Sequence, residues 1–466
     1  MEKKYWKTLN EMGLPAVQPA EVVSQNEESG ILSMLSDDLT EKSASRRNFL
    51  KWCGISFVTA TVVSACENPV KKAIPYIIQP EELIPGKATW YASSYLQGNE
   101  YCSILVKTRD GRPIKIEGND LSSINGSGTT ARVQASVLSL YDDGARYKAP
   151  MKNGAKIDWQ TADNEIKQLL DDIQAKGEKM VLVTPTIISP STKKLISDLQ
   201  NQYPALEVVA YDAISYSAIR QAHQRTHNTP VIPDYRFDKA EMIVSFSADF
   251  LGTWLAPAVF ANRYSKTRKL DPDNPKMSHH VQFEANMSLT GSNADERIPV
   301  KPGEELNILH ALYNELETGS PRNSLAGVDY GVKALADKLK QHKGKCLVVS
   351  GHNNVEVQMM VNAINHRLES YGNTLDINAV IMAGNDDPKN FNNLVGDLEK
   401  GRVGAVMFYQ TNPVYTFPDA PRLKAAIEKA GVSISFASAK DETSKICKYI
   451  LPDNHFLESW NDAEFL

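Results

Sequence analysis

The chain has 466 residues, 42% of them hydrophobic, and a formal net charge of −5. This length accommodates two or three domains with well-buried cores, and no basic stripe of the kind that binds nucleic acid is present. Five cysteines, Cys53, Cys66, Cys102, Cys346 and Cys447, are too dispersed for a CxxC metal site and too few for a disulfide framework.

Residues 1–44 form an N-terminal extension, opening with the amphipathic, aromatic "KKYWKTLNEM". Residues 45–66 have the pattern of an export signal. Arg46 and Arg47 stand in Ser45-Arg46-Arg47-Asn48-Phe49-Leu50-Lys51, close to the twin-arginine consensus. The apolar run from Trp52 to Ala65 is shorter and less apolar than the ~20 residues that cross a bilayer, which suits a signal peptide. Val63-Ser64-Ala65-Cys66 reads as a lipobox, which makes Cys66 the expected lipid anchor. Export of this kind implies the periplasmic face of the inner membrane.

Residues 67–157 are expected to form a β-rich head. Its start is Pro-rich and reads as extended chain. Alternating residues around Asp110-Gly111 then predict a two-residue hairpin, and "GSGTTARVQAS" predicts a loop passing into a short helix. From Asp158, an expected helix N-cap, the period becomes helical, with Trp159, Ile166, Leu169, Leu170 and Ile173 on one stripe. Strands and helices then alternate, the signature of doubly wound parallel sheets. The expected division is a first α/β unit over 158–330 and a second over 331–466, the latter apparently truncated in "KYILPDNHFLESWNDAEFL".

Ligands of such sheets lie beyond the C-terminal strand ends, and the loops expected there are polar. None is a GxGxxG or P-loop motif. His352 in "SGHNN" is a candidate, weighed against a satisfied loop histidine. His279-His280 is a poor metal pair, because neighbours on a strand face opposite ways. Ser215 and Ser217 lack a nucleophile motif.

The order of elements resembles the large subunit of molybdopterin oxidoreductases from about Trp90 onward. "SILVKTRDGRPIKIEGND", "YDDGARYKAPMKNGAKIDWQTADNEI", "ADERIPVKPGEELNILHAL", "FYQTNPVYTFPDAPRLKAAIEKAG" (through Asn412-Pro413) and "ILPDNHFLESWNDAE" are similar to that family's segments, in the same order. The resemblance implies an α/β fold with a small β-rich head and two doubly wound parallel-sheet units. It also implies an iron–sulfur cluster in the head and a molybdenum ligand in the first α/β unit. The head here holds only Cys102, and no cysteine lies between Cys102 and Cys346. The family's Asp after Pro-Gly, which meets a guanine amine, is matched by Glu305.

A twin-arginine signal, a long extension, this scaffold and missing metal ligands together resemble the B subunit of alternative complex III, a quinol-oxidising respiratory complex. That branch implies a scaffold with no catalytic, cofactor or metal residues of its own. Its iron–sulfur clusters would sit in a C-terminal part absent from this sequence. Its partners would be haem c subunits and a quinol-binding membrane subunit. Two rival readings are an active molybdenum enzyme, which would need Ser215 or Ser217 as metal ligand, and a periplasmic ligand-binding lipoprotein with a hinged cleft.

Overall fold

The computed structural model describes residues 84–466, apart from 85, 99, 271, 274, 320–329 and 383. Arg46, Arg47, Cys66 and the N-terminal extension lie outside the described residues. Pro80–Leu466 forms one compact unit. Its strands, in chain order, are β1 (Ala88–Gln97), β2 (Glu100–Arg109), β3 (Arg112–Gly118), β4 (Met151–Lys152), β5 (Ala155–Lys156), β6 (Lys179–Thr184), β7 (Leu206–Ala210) and β8 (Pro233–Tyr235). They continue as β9 (Met242–Phe246), β10 (His279–Glu284), β11 (Glu296–Pro299), β12 (Cys346–Ser350), β13 (Leu375–Val380), β14 (Val403–Phe408), β15 (Val432–Ser435) and β16 (Tyr449–Ile450). Among the described residues no helix is long and apolar enough to cross a membrane.

The head is an antiparallel sheet in the order β1-β2-β3. Asp110 and Gly111 both have positive φ (49° and 75°), as a type I′ turn requires, so the hairpin predicted from that dipeptide is present. Cys102, Ile104, Val106 and Ile116 pack beneath the sheet on Val133 and Ala258. Ala88–Gln97 was expected to be extended chain and is instead a full strand, paired residue for residue with β2.

Two larger sheets carry the α/β part. One has seven strands in the order β5-β4-β16-β15-β14-β6-β7, and the other four in the order β11-β10-β9-β12. The four-stranded sheet and the β16-to-β7 run of the larger one are parallel. A two-stranded antiparallel pair joins β8 and β13. This is the expected α/β class, but sheet membership does not follow the division at residue 330. β6 pairs with β14, far downstream, and β7 lies on its other side, while β12 pairs with β9. The reason is burial on both faces. Met180–Thr184 of β6 are all buried, so β6 must be an interior strand with a neighbour on each side.

The head also ends earlier than residue 157. The hairpin β4–β5, turning at Asn153-Gly154, adds antiparallel to β16 and so belongs to the seven-stranded sheet. The helix Trp159–Ala175 begins as predicted, with Asp158 accepting from the Thr161 amide at 2.9 Å. Ala162, Leu170 and Ile173 are its buried residues, whereas Trp159 is 50% exposed and leaves the expected stripe.

The tail beyond β16 is irregular and ties the parts together. Phe456 packs edge-on against Tyr95 of the head, and Phe465 stacks on Tyr101. The Asp462 carboxylate accepts from the Ser191 amide at 2.8 Å and from the Ser189 and Ser191 hydroxyls. The Met382 amide donates to the Phe465 carbonyl at 2.9 Å.

Candidate functional site

Both parallel sheets present C-terminal strand ends, where such folds bind ligands. The two ends differ in what fills them.

Over the seven-stranded sheet lies an open cleft. It consists of three depressions that share Gly98 and Gln410, the largest of about 450 Å³. The loops after β6, β7, β14, β15 and β16 form one wall, and the end of β1 the other. Gln410 sits at the junction with φ of 49°, a strained value for a side chain of its kind, and its amide donates to Tyr409 and Asp453.

The cations lining this cleft are already paired. Arg132 Nε donates to Glu100 at 2.8 Å, and Thr130 donates to the same buried carboxylate at 2.6 Å. Arg146 binds Glu458 through both guanidinium nitrogens, which holds its pKa above the usual arginine value. His455 Nδ1 accepts from the Leu457 amide at 3.2 Å, leaving Nε2 to donate to the Ser139 hydroxyl at 2.9 Å. Burial, and secondarily Arg146, lower its pKa, so the ring is neutral. Behind the β7 loop, Asp212 accepts from the Thr186 amide and hydroxyl, and burial raises its pKa. Asp386 is pushed up to about 6 by burial and then by Asp212, and its Oδ1 is buried without a partner.

The strand ends of the four-stranded sheet are closed by the chain's own carboxylates. Glu305, in the first turn of the helix Pro302–Thr318, is 3% exposed. Its Oε1 accepts from the Ser247 hydroxyl at 2.8 Å, and its Oε2 meets His352 Nε2 at 2.8 Å. The sequence singled out Glu305 and His352 separately, and the fold brings them into contact. Gly351 permits this approach, because a Cβ there would lie 2.3 Å from the Ser247 carbonyl oxygen. Beside them Asp249 accepts from the Thr290 amide and hydroxyl. Glu284 accepts from Arg297 Nε at 2.6 Å and from the Ser288 hydroxyl at 2.6 Å, which hold its pKa down against burial.

The other sequence candidates do not converge on either end. Ser215 and Ser217 bond to one another at 3.0 Å. His279 faces outward to Glu296, whereas His280 is buried against Tyr264 and Gln282, as strand alternation requires. Cys102 donates to the Gly128 carbonyl, and Cys346 to the carbonyls of His342 and Leu339. Burial pushes the thiols of Cys102, Cys346 and Cys447 up to about 12, and each lies in a separate part of the fold. Among the described residues no three His, Cys, Asp or Glu side chains are grouped to hold a metal. The Arg132–Glu100 and Arg146–Glu458 pairs were not legible in sequence, since each joins residues on separate elements.

The molybdopterin oxidoreductase family profile matches residues 146–463. The chain is 23% identical over 406 residues to the menaquinone reductase, molybdopterin-binding-like subunit of Nitratidesulfovibrio vulgaris, an alignment covering 77% of this chain and 58% of that protein. It thus spans less than two thirds of that relative's length. Among solved structures, acetylene hydratase from Pelobacter acetylenicus superposes with a TM-score of 0.55 at 11% identity, covering 76% of this chain and 62% of that one, a likeness of fold. With the family profile spanning both parallel sheets, the chain belongs to the molybdopterin oxidoreductase family.

Proposed function

We propose that this chain is a structural subunit of a quinone oxidoreductase complex, built on a molybdopterin oxidoreductase fold without holding that family's cofactors. The relative whose name includes menaquinone reductase supports the kind of complex. The finer reading is the scaffold part of the B subunit of alternative complex III. The chain is exported through Arg46 and Arg47, anchored by Cys66, and assembled with haem c subunits and a quinol-binding membrane subunit.

The observation that carries the reading is the filled crevice over the four-stranded sheet. A nucleotide-bearing cofactor placed there would have to displace Glu305 from Ser247 and His352. Two further carboxylates, the buried Glu284 and the half-buried Asp249, would repel its phosphates. The residues present therefore do not fit that group, and no reaction step is assigned to it. Redox chemistry would belong to partner subunits, with this chain holding them in register.

The test is purification from native membranes in mild detergent, with metal analysis and identification of the partners. Molybdenum near zero per chain, together with co-purifying c-type haem and quinol oxidation, is the expected result. One molybdenum per chain overturns the scaffold reading. Normal delivery of an Arg46→Lys/Arg47→Lys variant overturns the export route.

A further inference from the structure

We propose that the outer face of the three-stranded head sheet docks on an anionic lipid surface. The strand register builds this face. Trp90 lies opposite Lys107, and Lys107 opposite Lys115; Ala88 lies opposite Arg109, and Arg109 opposite Arg112. Cys102, Ile104 and Val106 point into the head core, so alternation turns Lys107 and Arg109 the other way. The Lys107 ammonium sits 5.4 Å from the centre of the Trp90 ring, which is 41% exposed.

Two features mark this face. First, Lys107, Arg109 and Arg112 form no ion pair among the described residues, whereas Lys115 on the same face is paired with Glu117. The chain as a whole is acidic, so a cluster of unanswered cations is set against its net charge. Second, an exposed indole lies among them. Tryptophan beside lysine and arginine matches the layered chemistry of a bilayer interface, with anionic headgroups outside and a partly apolar zone beneath.

The occupant is a membrane rather than an acidic protein because of what precedes the sheet in sequence. Cys66 stands 18 residues before Ile84. Even fully extended, that length of chain spans about 60 Å. A lipid on Cys66 therefore keeps the head within reach of the bilayer. A basic patch is also the second signal that makes lipid anchoring durable. The inference rests on the membrane-associated reading above, but the patch itself acts without the lipid.

The experiment uses the full chain carrying Cys66→Ala, so that no acyl group contributes. Co-sedimentation is measured with phosphatidylcholine vesicles, with and without phosphatidylglycerol, at low and high salt. Binding to the anionic vesicles alone, weakened by salt, is expected. The Lys107→Glu/Arg109→Glu/Arg112→Glu variant should lose about tenfold or more in partition, and Trp90→Ala a smaller factor. An unchanged melting curve confirms that these exposed substitutions leave the fold intact. Equal sedimentation of the triple variant, or none by the parent, overturns the proposal. So does a triple variant that binds vesicles normally but falls out of its native complex, which would identify an acidic protein as the partner. Mass spectrometry of the mature N-terminus tests Cys66 acylation separately. An unmodified Cys66 would remove the anchor and leave the vesicle result standing.

Discussion

The two parallel sheets obey one folding rule and end in opposite ways. Above the seven-stranded sheet, five loops stand apart and leave a cleft whose arginines, Arg132 and Arg146, are each paired with a glutamate. Above the four-stranded sheet, Glu305, Glu284 and Asp249 are drawn in and saturated by hydroxyls, an arginine and a histidine. The difference teaches that a strand-end crevice is a position and not a site. Side chains a single methylene longer, or a glycine that admits them, convert a ligand position into internal structure.

Acid should separate the two ends most strongly. Burial holds His280 of β10 and His223 at about 4, below the ordinary 6.5. Both are neutral in the fold and become protonated on unfolding, so their contribution is complete above pH 6.5 and is lost as pH falls toward 4. Each should subtract about 2 kcal/mol at pH 5. Asp386 works the other way: its folded value of about 6 exceeds the ordinary 3.8, so acidification from pH 7 to 5 relieves about 1 kcal/mol. Denaturant titrations at pH 7 and 5 measure the net loss. Hydrogen exchange should place it in β9–β12, and a uniform loss across both sheets would contradict the assignment.

Glu305→Ala should come next. It leaves His352 and the Ser247 hydroxyl without their buried partner and should cost about 3 kcal/mol in denaturant midpoint experiments. Glu305→Gln should cost less, because one bond survives. If the alanine variant is neutral, the crevice is not a saturated structural network.

Gly291→Ala probes the same end by volume. A Cβ there would lie 1.9 Å from Glu284 Oε1, and Arg297 and Ser288 pin that carboxylate. A loss of about 2 kcal/mol is expected by thermal melting. Arg146→Ala, at the open cleft, should cost no more than about 1 kcal/mol, because Glu458 remains partly solvated once released. A larger loss there would mean that the cleft too is a structural element.

Much of this architecture is legible locally. Asp110-Gly111 specifies its turn through the two positive φ values it tolerates, and Asp158 caps its helix with its own carboxylate. β10 is harder to read. His280, Gln282 and Glu284 are polar yet buried, and only Tyr264, Ser288 and Arg297 from other elements make that burial tolerable. β1 carries Ser93 and Ser94 where apolar alternation would announce a strand, so its pairing with β2 is evident only in three dimensions.

Sequence alone determined the element types, the α/β class, the hairpin and the resemblance to the molybdopterin oxidoreductases, because periodicity, capping and turn chemistry act over a few residues. The tertiary structure decided which strands share a sheet, that Glu305 reaches His352, and that one strand-end crevice is closed while the other stays open. Those outcomes depend on contacts between residues distant in the chain. Hydrophobic runs such as Met180–Thr184 and Val403–Phe408 state that a strand is buried, but carry no address for its neighbour.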